Sequence, residues 1–202
     1  MIRRQLIALI AATAALMTAA AAPAPTAKAP VLRTAVFAGG CFWCMEHDMG
    51  GIQGVVKVES GYTGGTLAKP RYEDVLTERT GHYEAVRVTF DASKVDYGFL
   101  LYRYWRLVDP TDAGGQFCDR GPSYRTAVFV DGPDQRAAAE TSKARVAATL
   151  KGKKVVTPIL TLGPFWPAEA GHRDYAKRNP AHYAAYRMGC GRDARLKQVW
   201  GG

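Results

Sequence analysis

The chain has 202 residues, 48% hydrophobic and 22% charged, which is ordinary globular composition with room for one well-buried domain. Its formal charge of +9 invites a nucleic-acid reading. That reading is set aside because Lys and Arg are spread along the chain rather than gathered on one stripe, and no nucleic-acid-binding motif is visible.

The N-terminus is read as a targeting segment. Met1-Ile2-Arg3-Arg4 is a positive start, Gln5 to Ala19 is apolar but too short and Ala-rich to span a bilayer, and Ala20 to Ala22 offers small-residue cleavage sites. The predicted organisation is a signal peptide over 1–22, a flexible Ala/Pro-rich linker over 23–33 and a catalytic domain over 34–202. The mature protein is expected to be exported, to a periplasm-type compartment, and to be a monomer with no stable membrane span. An uncleaved, membrane-anchoring N-terminus is the alternative.

Taken in order, Thr34–Ala38 is β-prone and ends at Gly39-Gly40, and Cys41–Met49 reads as a helix. Val56, Val58, Ser60 and Tyr62 share one face of an alternating strand, with Lys57 and Glu59 on the other. Pro70–Leu76 is a brief helix, and Glu84–Phe90 alternates again with Glu84, Val86, Val88 and Phe90 inward. Val95–Val108 reads as a helix, Tyr124–Val130 as a strand, Asp134–Leu150 as an Ala-rich helix and Val155–Leu162 as a strand. Beyond Pro164 the Pro, Gly, His and Tyr content predicts a long coiled tail. Strands and helices interleave without a strict βα period, so the fold class is α+β: a two-layer sandwich, a ferredoxin-like mixed sheet with packed helices.

Four cysteines, Cys41, Cys44, Cys118 and Cys190, would ordinarily suggest structural disulfides in an exported protein. A tetrathiolate zinc site needs two close pairs, and only Cys41 and Cys44 are close, so no metal is expected. Cys41 falls at a strand-to-helix turn, where free backbone N–H groups and the helix dipole stabilise a thiolate, making it the candidate nucleophile. Glu84 lies in register with apolar residues. Desolvation there raises a carboxyl pKa, which suits a general acid. An exposed strand-end Glu is the alternative. Phe42 and Trp43 are either core aromatics or the wall of a small apolar pocket. Two other readings stay open: a thioredoxin-like disulfide-exchange protein built on Cys41 and Cys44, and a non-catalytic module stapled by Cys41–Cys44 and Cys118–Cys190 bridges.

Gly40-Cys41-Phe42-Trp43 resembles the active-site signature of the A-type peptide-methionine sulfoxide reductases. Ser60 to Gly65, Thr80-Gly81-His82-Tyr83-Glu84, Asp109 to Asp112 and Asp119 with Tyr124-Arg125 look like further blocks of that family, in order, so the resemblance covers roughly Thr34 to Pro180. It implies that Cys41 attacks the sulfur of a methionine S-sulfoxide, free or in proteins. Glu84 would protonate the oxygen, Tyr62 and Tyr124 hydrogen-bond it, and Phe42 and Trp43 cradle the methyl group. Asp119 would order the hydrogen-bond network, and His172 resembles a tail block with a structural role. A sulfenic acid on Cys41 would then be resolved by Cys190, Cys44 or Cys118 to a disulfide, which an external thioredoxin-like dithiol reduces without a bound cofactor. Cys44 stands where the family often has Gly, the tail lacks the usual glycine-rich ending around its cysteine, and Pro122-Ser123 replaces a common polar-Gln pair.

Overall fold

The computed structural model describes residues 29–201. The predicted signal peptide (1–22) and the first part of the predicted linker (23–28) lie outside them. Strand β1 (Leu32–Gly39) begins inside the stretch read as linker. Its residues alternate between two covered faces, Ala35 and Phe37 entering the main core and Val36 and Ala38 a smaller one behind the sheet. Gly39 is packed where a β-carbon would strike Met45 and Val108, and Gly40 turns with φ +78°, a conformation that favours glycine. That turn lets helix α1 (Phe42–Gly50) start at once, with Cys41 as its N-cap. Phe42, Met45 and Met49 fall at helical spacing and pack into the main core.

Strand β2 (Val55–Thr63) carries the first departure from the sequence reading. The register shifts between Val55 and Lys57, and Val56, expected inward, is 59% exposed. A bulge adds one residue to the strand, so Val55 packs on the core in its stead, while Val58, Ser60 and Tyr62 keep their expected inward positions. Helix α2 (Tyr72–Leu76) is a single turn, its start held by Asp74 Oδ2, which accepts from Arg71 N at 2.9 Å. Strand β3 (Tyr83–Asp91) pairs antiparallel with both β1 and β2. Helix α3 (Tyr97–Arg106) is capped by Asp96 Oδ1, which accepts from Phe99 N at 2.7 Å, and it buries Leu100, Leu101, Tyr104 and Trp105.

A small hairpin follows, β4 (Gly115–Gln116) and β5 (Asp119–Arg120), with Phe117 and Cys118 at its tip. Tyr124 lies in a 3₁₀ turn (Pro122–Tyr124), one step before strand β6 (Thr126–Val130), rather than in the strand itself. Pro122 sets that turn and has no N–H to give a ladder. Helix α4 (Pro133–Thr149) leads to β7 (Ile159–Thr161), shorter than read because its ladder with β6 begins only after Pro158. A last short strand, β8 (Trp166–Pro167), edges β2.

The predicted coiled tail is the main correction. After residue 174 the chain forms α5 (Tyr175–Arg178), α6 (Pro180–Gly189) and α7 (Arg192–Trp200). The Pro and Gly residues that suggested coil stand at helix boundaries: Pro180 opens α6, and Gly191 and Gly201, both left-handed, flank α7.

The sheet order is β7-β6-β1-β3-β2-β8. Each of its inner four strands is antiparallel to its neighbours among them, and they arise from the run β1-α1-β2-β3-α3-β6, which is the ferredoxin-like split βαβ arrangement. β7 joins parallel to β6 and makes the sheet mixed. Residues of α1, α3 and α4 share the main core with one face; on the other face Leu160, Leu162 and Phe165 cover Val36, Ala38, Ala85, Ala127 and Phe129.

Candidate active site

The site forms where the β1–α1 turn meets the start of β3. Glu84 is directly opposite Tyr62 across the β2–β3 ladder and is 2% exposed. Its Oε2 accepts a hydrogen bond from Phe42 N at 2.9 Å. The first N–H of α1, which the sequence reading assigned to the thiolate, is therefore given to the carboxyl group. Burial drives the Glu84 pKa up to about 8 against the lowering effect of the Phe42 N–H, and the charge of Asp119 adds to the rise. At neutral pH the group is mainly a neutral acid with a proton to give.

Cys41 and Cys44 are free thiols, both buried, in one cluster with Tyr183 against which Trp43, Tyr175 and Tyr186 pack. Burial pushes the Cys41 thiol up, reinforced by Cys44 and by Glu84, while the Tyr186 hydroxyl favours its thiolate. Cys44 is lowered to about 7, first through the Cys41 thiol bonding to it and then through the nearby Arg192 guanidinium. The two sulfurs thus share charge and proton, so that neither is an isolated thiol. The charge is drawn toward Cys44, which the reading of Cys41 as an N-cap did not foresee.

Three phenols surround the carboxyl. Tyr124 and Tyr72 have hydroxyls close to one another, and burial together with the Glu84 charge raises both, keeping them protonated donors. Tyr62 is buried in the same wall, but its hydroxyl donates to Glu169 Oε2 at 2.9 Å. Glu169 also accepts from Tyr72 N at 2.8 Å, so one carboxylate fixes both tyrosines. Tyr72 was missed in the sequence. The available signal was a lone aromatic at the first position of a short polar helix, Arg71-Tyr72-Glu73-Asp74.

Aromatic rings complete the wall. Phe42 lies 5.8 Å from Tyr62 and 5.4 Å from His172, and Trp43 stacks on Tyr175 at 3.8 Å between centroids. His172 also contacts Tyr72 at 4.3 Å, which makes it part of this wall. Its Nδ1 and Trp43 Nε1 are buried without hydrogen-bond partners.

Asp119 approaches from the β4–β5 hairpin. Its Oδ2 accepts from Tyr186 Oη at 2.6 Å, and burial raises its pKa. The adjacent Cys118 is disulfide-bonded to Cys190, the residue that ends α6. Of the two bridges in the stapled-module reading, this one is formed, and Cys41–Cys44 is not. Among the described residues, Cys118, Asp119 and Cys190 are the group with metal-like composition, but the two sulfurs are joined to each other and offer no thiolate. No described helix is long and apolar enough to cross a membrane.

A neutral acid, a proton-sharing thiol pair and phenol donors facing an aromatic wall suit a thiol-dependent reductase of a small polar group carried on an apolar one. Residues 33–202 match the family model described as peptide methionine sulfoxide reductase. A peptide methionine sulfoxide reductase of Caulobacter vibrioides is 66% identical, over 98% of this chain and all of that one. The Bacillus licheniformis enzyme of that name is 51% identical over 83% of this chain and 93% of its own. Among solved structures, methionine sulfoxide reductase A of Corynebacterium diphtheriae aligns with a TM-score of 0.67 at 30% identity, covering 75% of this chain and 77% of that one. Mxr1 of Saccharomyces cerevisiae in its reduced form aligns at 0.70 and 25% identity, covering 74% and 87%. The chain belongs to the peptide methionine sulfoxide reductase family, and the thioredoxin-like alternative is set aside.

Proposed function

We propose that this chain reduces the S epimer of methionine sulfoxide, in oxidised proteins or as the free amino acid, with Cys41 as nucleophile and Glu84 as proton donor. The observation that carries the assignment is the buried, neutral carboxyl of Glu84, bonded to the first N–H of the helix that Cys41 caps. A sulfoxide sulfur is a poor electrophile until its oxygen gains a proton, so thiolate and acid must meet the same S–O group.

The Cys41 sulfur attacks the sulfoxide sulfur as Glu84 delivers its proton to the oxygen. The protonated oxygen passes as hydroxyl to the Cys41 sulfur as the methionine S–O bond breaks, so the sulfide leaves as methionine and Cys41 is left as a sulfenic acid. Tyr124 and Tyr72 supply the hydroxyls nearest this oxygen, Tyr72 taking the place the sequence reading gave to Tyr62, and Phe42 with Trp43 encloses the methyl group. Asp119 orders the network through Tyr186. Cys44, three residues from Cys41 and already sharing its proton, attacks the sulfenic acid, releasing water and forming a Cys41–Cys44 disulfide. Cys118 and Cys190, paired with each other, are thereby removed from this step. An external thioredoxin-like dithiol takes up the oxidising equivalents, ending as a disulfide itself. The charged start and short apolar run of residues 1–22 support export to a periplasm-type compartment.

Reduction of the separate S and R epimers in excess dithiothreitol, by the wild-type chain and Cys41→Ser, tests this reading. Turnover of S alone, abolished in Cys41→Ser, is the expected result; equal turnover of both epimers, or activity surviving in the variant, overturns it.

A further inference from the structure

Tyr186 has no role in the sequence reading, yet the structure places it between the reactive thiols and a surface disulfide. Its ring packs on the Cys41 and Cys44 cluster and lies edge-on to Trp43 at 5.7 Å. Its hydroxyl donates to Asp119 Oδ2 at 2.6 Å, beside the buried Cys41 cluster on which the residue packs. Two features hold this arrangement from the same side. Asp119 follows Cys118 on the hairpin, and Cys190 lies one helical turn after Tyr186, its N–H donating to Tyr186 O at 2.9 Å. The Cys118–Cys190 bridge and the Tyr186–Asp119 hydrogen bond therefore tie the same hairpin to the same turn of α6. Arg192, just beyond, lies over the Phe117 ring at 4.5 Å and presses the hairpin tip to the start of α7.

We propose that Tyr186 is a positioning residue for the Cys41 thiolate and that the Cys118–Cys190 disulfide keeps it in place, so that the redox state of this second cysteine pair sets the reactivity of the first. Tyr186 stays protonated, because burial and the Cys41 and Asp119 charges all oppose its ionisation, and its single proton rests on Asp119 until the Cys41 thiolate competes for it. Packed around Tyr186 are Cys41 at the cap of α1, Trp43 and Cys44 within it, Tyr175 of α5 and Tyr183 of its own helix, with Asp119 of the hairpin bonded to the hydroxyl; Glu84 acts on Cys41 and Arg192 on Cys44. Arg187 is engaged by Asp48 and Asp193, and Arg192 by Leu107 O, leaving the Tyr186 hydroxyl, whose one proton is given to Asp119 Oδ2 here, as the group that can turn to Cys41 when its thiolate forms. The bridge is accessible, since Cys118 is exposed. Opening it takes two electrons and two protons from an external dithiol, which becomes a disulfide, and frees the hairpin from α6 at this point.

The inference rests on Cys41 being the nucleophile, so the test reads Cys41 itself rather than turnover. Alkylation of the Cys41 peptide by iodoacetamide, followed by mass spectrometry over a pH series, gives the thiolate profile of the full-length chain. With Tyr186→Phe the midpoint is expected to rise by roughly one pH unit, about a tenfold loss of thiolate below it. Cys190→Ser should move it in the same direction, and the double variant no further than Tyr186→Phe alone. The wild-type chain with its bridge closed, then opened by dithiol and freed of reagent, gives the same comparison without a substitution that could disturb folding. A Tyr186→Phe profile superimposing on wild type removes the positioning role. A shift in Tyr186→Phe with none on opening the bridge removes the coupling. Alkylation shifts as described in a wild-type chain that reduces neither methionine sulfoxide epimer would count against the functional reading instead.

Discussion

Burial is what makes Glu84 an acid at neutral pH, and the same burial ties it to stability. Its pKa in the fold is raised above the ordinary carboxylate value, so the protonated form is the one folding favours. That contribution is complete below the ordinary carboxylate range and is lost as pH rises through about 8. The wild-type chain should lose stability progressively as pH rises from the ordinary carboxylate range to about 8, and Glu84→Gln, a neutral isostere that keeps an acceptor for Phe42 N, should flatten that slope in denaturant titrations across pH. In the same variant kcat should fall by about 10²–10⁴, the usual worth of a positioned general acid, with Cys41 still alkylated. Wild-type turnover in Glu84→Gln would remove the acid assignment. The tyrosines separate similarly. Tyr72→Phe and Tyr124→Phe each remove a hydroxyl beside Glu84 and should lower kcat by roughly tenfold, about one hydrogen bond. Tyr62→Phe removes a bond to Glu169 and should act mainly on stability. Matching kcat losses in all three variants would contradict this division.

At the level of elements, the aromatic wall depends on how α1 holds the segment before α5. Glu46 accepts from Ser60 Oγ at 3.1 Å and from Asp174 N at 2.9 Å, joining β2, α1 and the turn between His172 and Tyr175. Asp174 itself has φ +51°, a conformation that costs a non-glycine residue about 1 kcal/mol or more and persists because its surroundings hold it. Glu46→Ala should release this turn and raise KM several-fold with little change in kcat, as steady-state kinetics on a peptide substrate would show. An unchanged KM would mean the wall is held without Glu46. Glu46 is also an example of what the sequence left unread. Helical periodicity places it on α1, but only the packed turn gives its inward carboxyl a purpose. The Val56 error has the same origin, because a bulge is set by pairing partners and leaves no periodic trace in a single strand.

For the molecule as a whole, the C-terminal helices close the site and the Cys118–Cys190 bridge anchors them. The bridge spans a sequence separation of 72 residues. A chain-entropy account assigns about 4 kcal/mol to closing such a loop. Cys118→Ser should therefore lower unfolding stability by roughly 2–4 kcal/mol in guanidinium titration under non-reducing conditions, with the midpoint moving and the slope little changed. A loss below about 0.5 kcal/mol would show that α6 and α7 are held by packing instead, through Arg192, Trp200 and the Arg195–Asp109 pair.

By itself the sequence determined the α+β class, the inward register of Glu84 with Val86, Val88 and Phe90, and the position of Cys41 at a helix start. These follow from short-range periodicity and glycine placement, which act within a few residues. It left the cysteine pairing open and read the tail as coil, since Pro and Gly break a helix or bound one depending on where neighbouring segments pack. Only the tertiary structure gave the Phe42 N–H to Glu84, turned Tyr62 toward Glu169 and Tyr72 toward the acid, and set Tyr186 against Cys41. Each of those choices is a hydrogen bond or contact between residues far apart in the chain, decided by burial that no local pattern encodes.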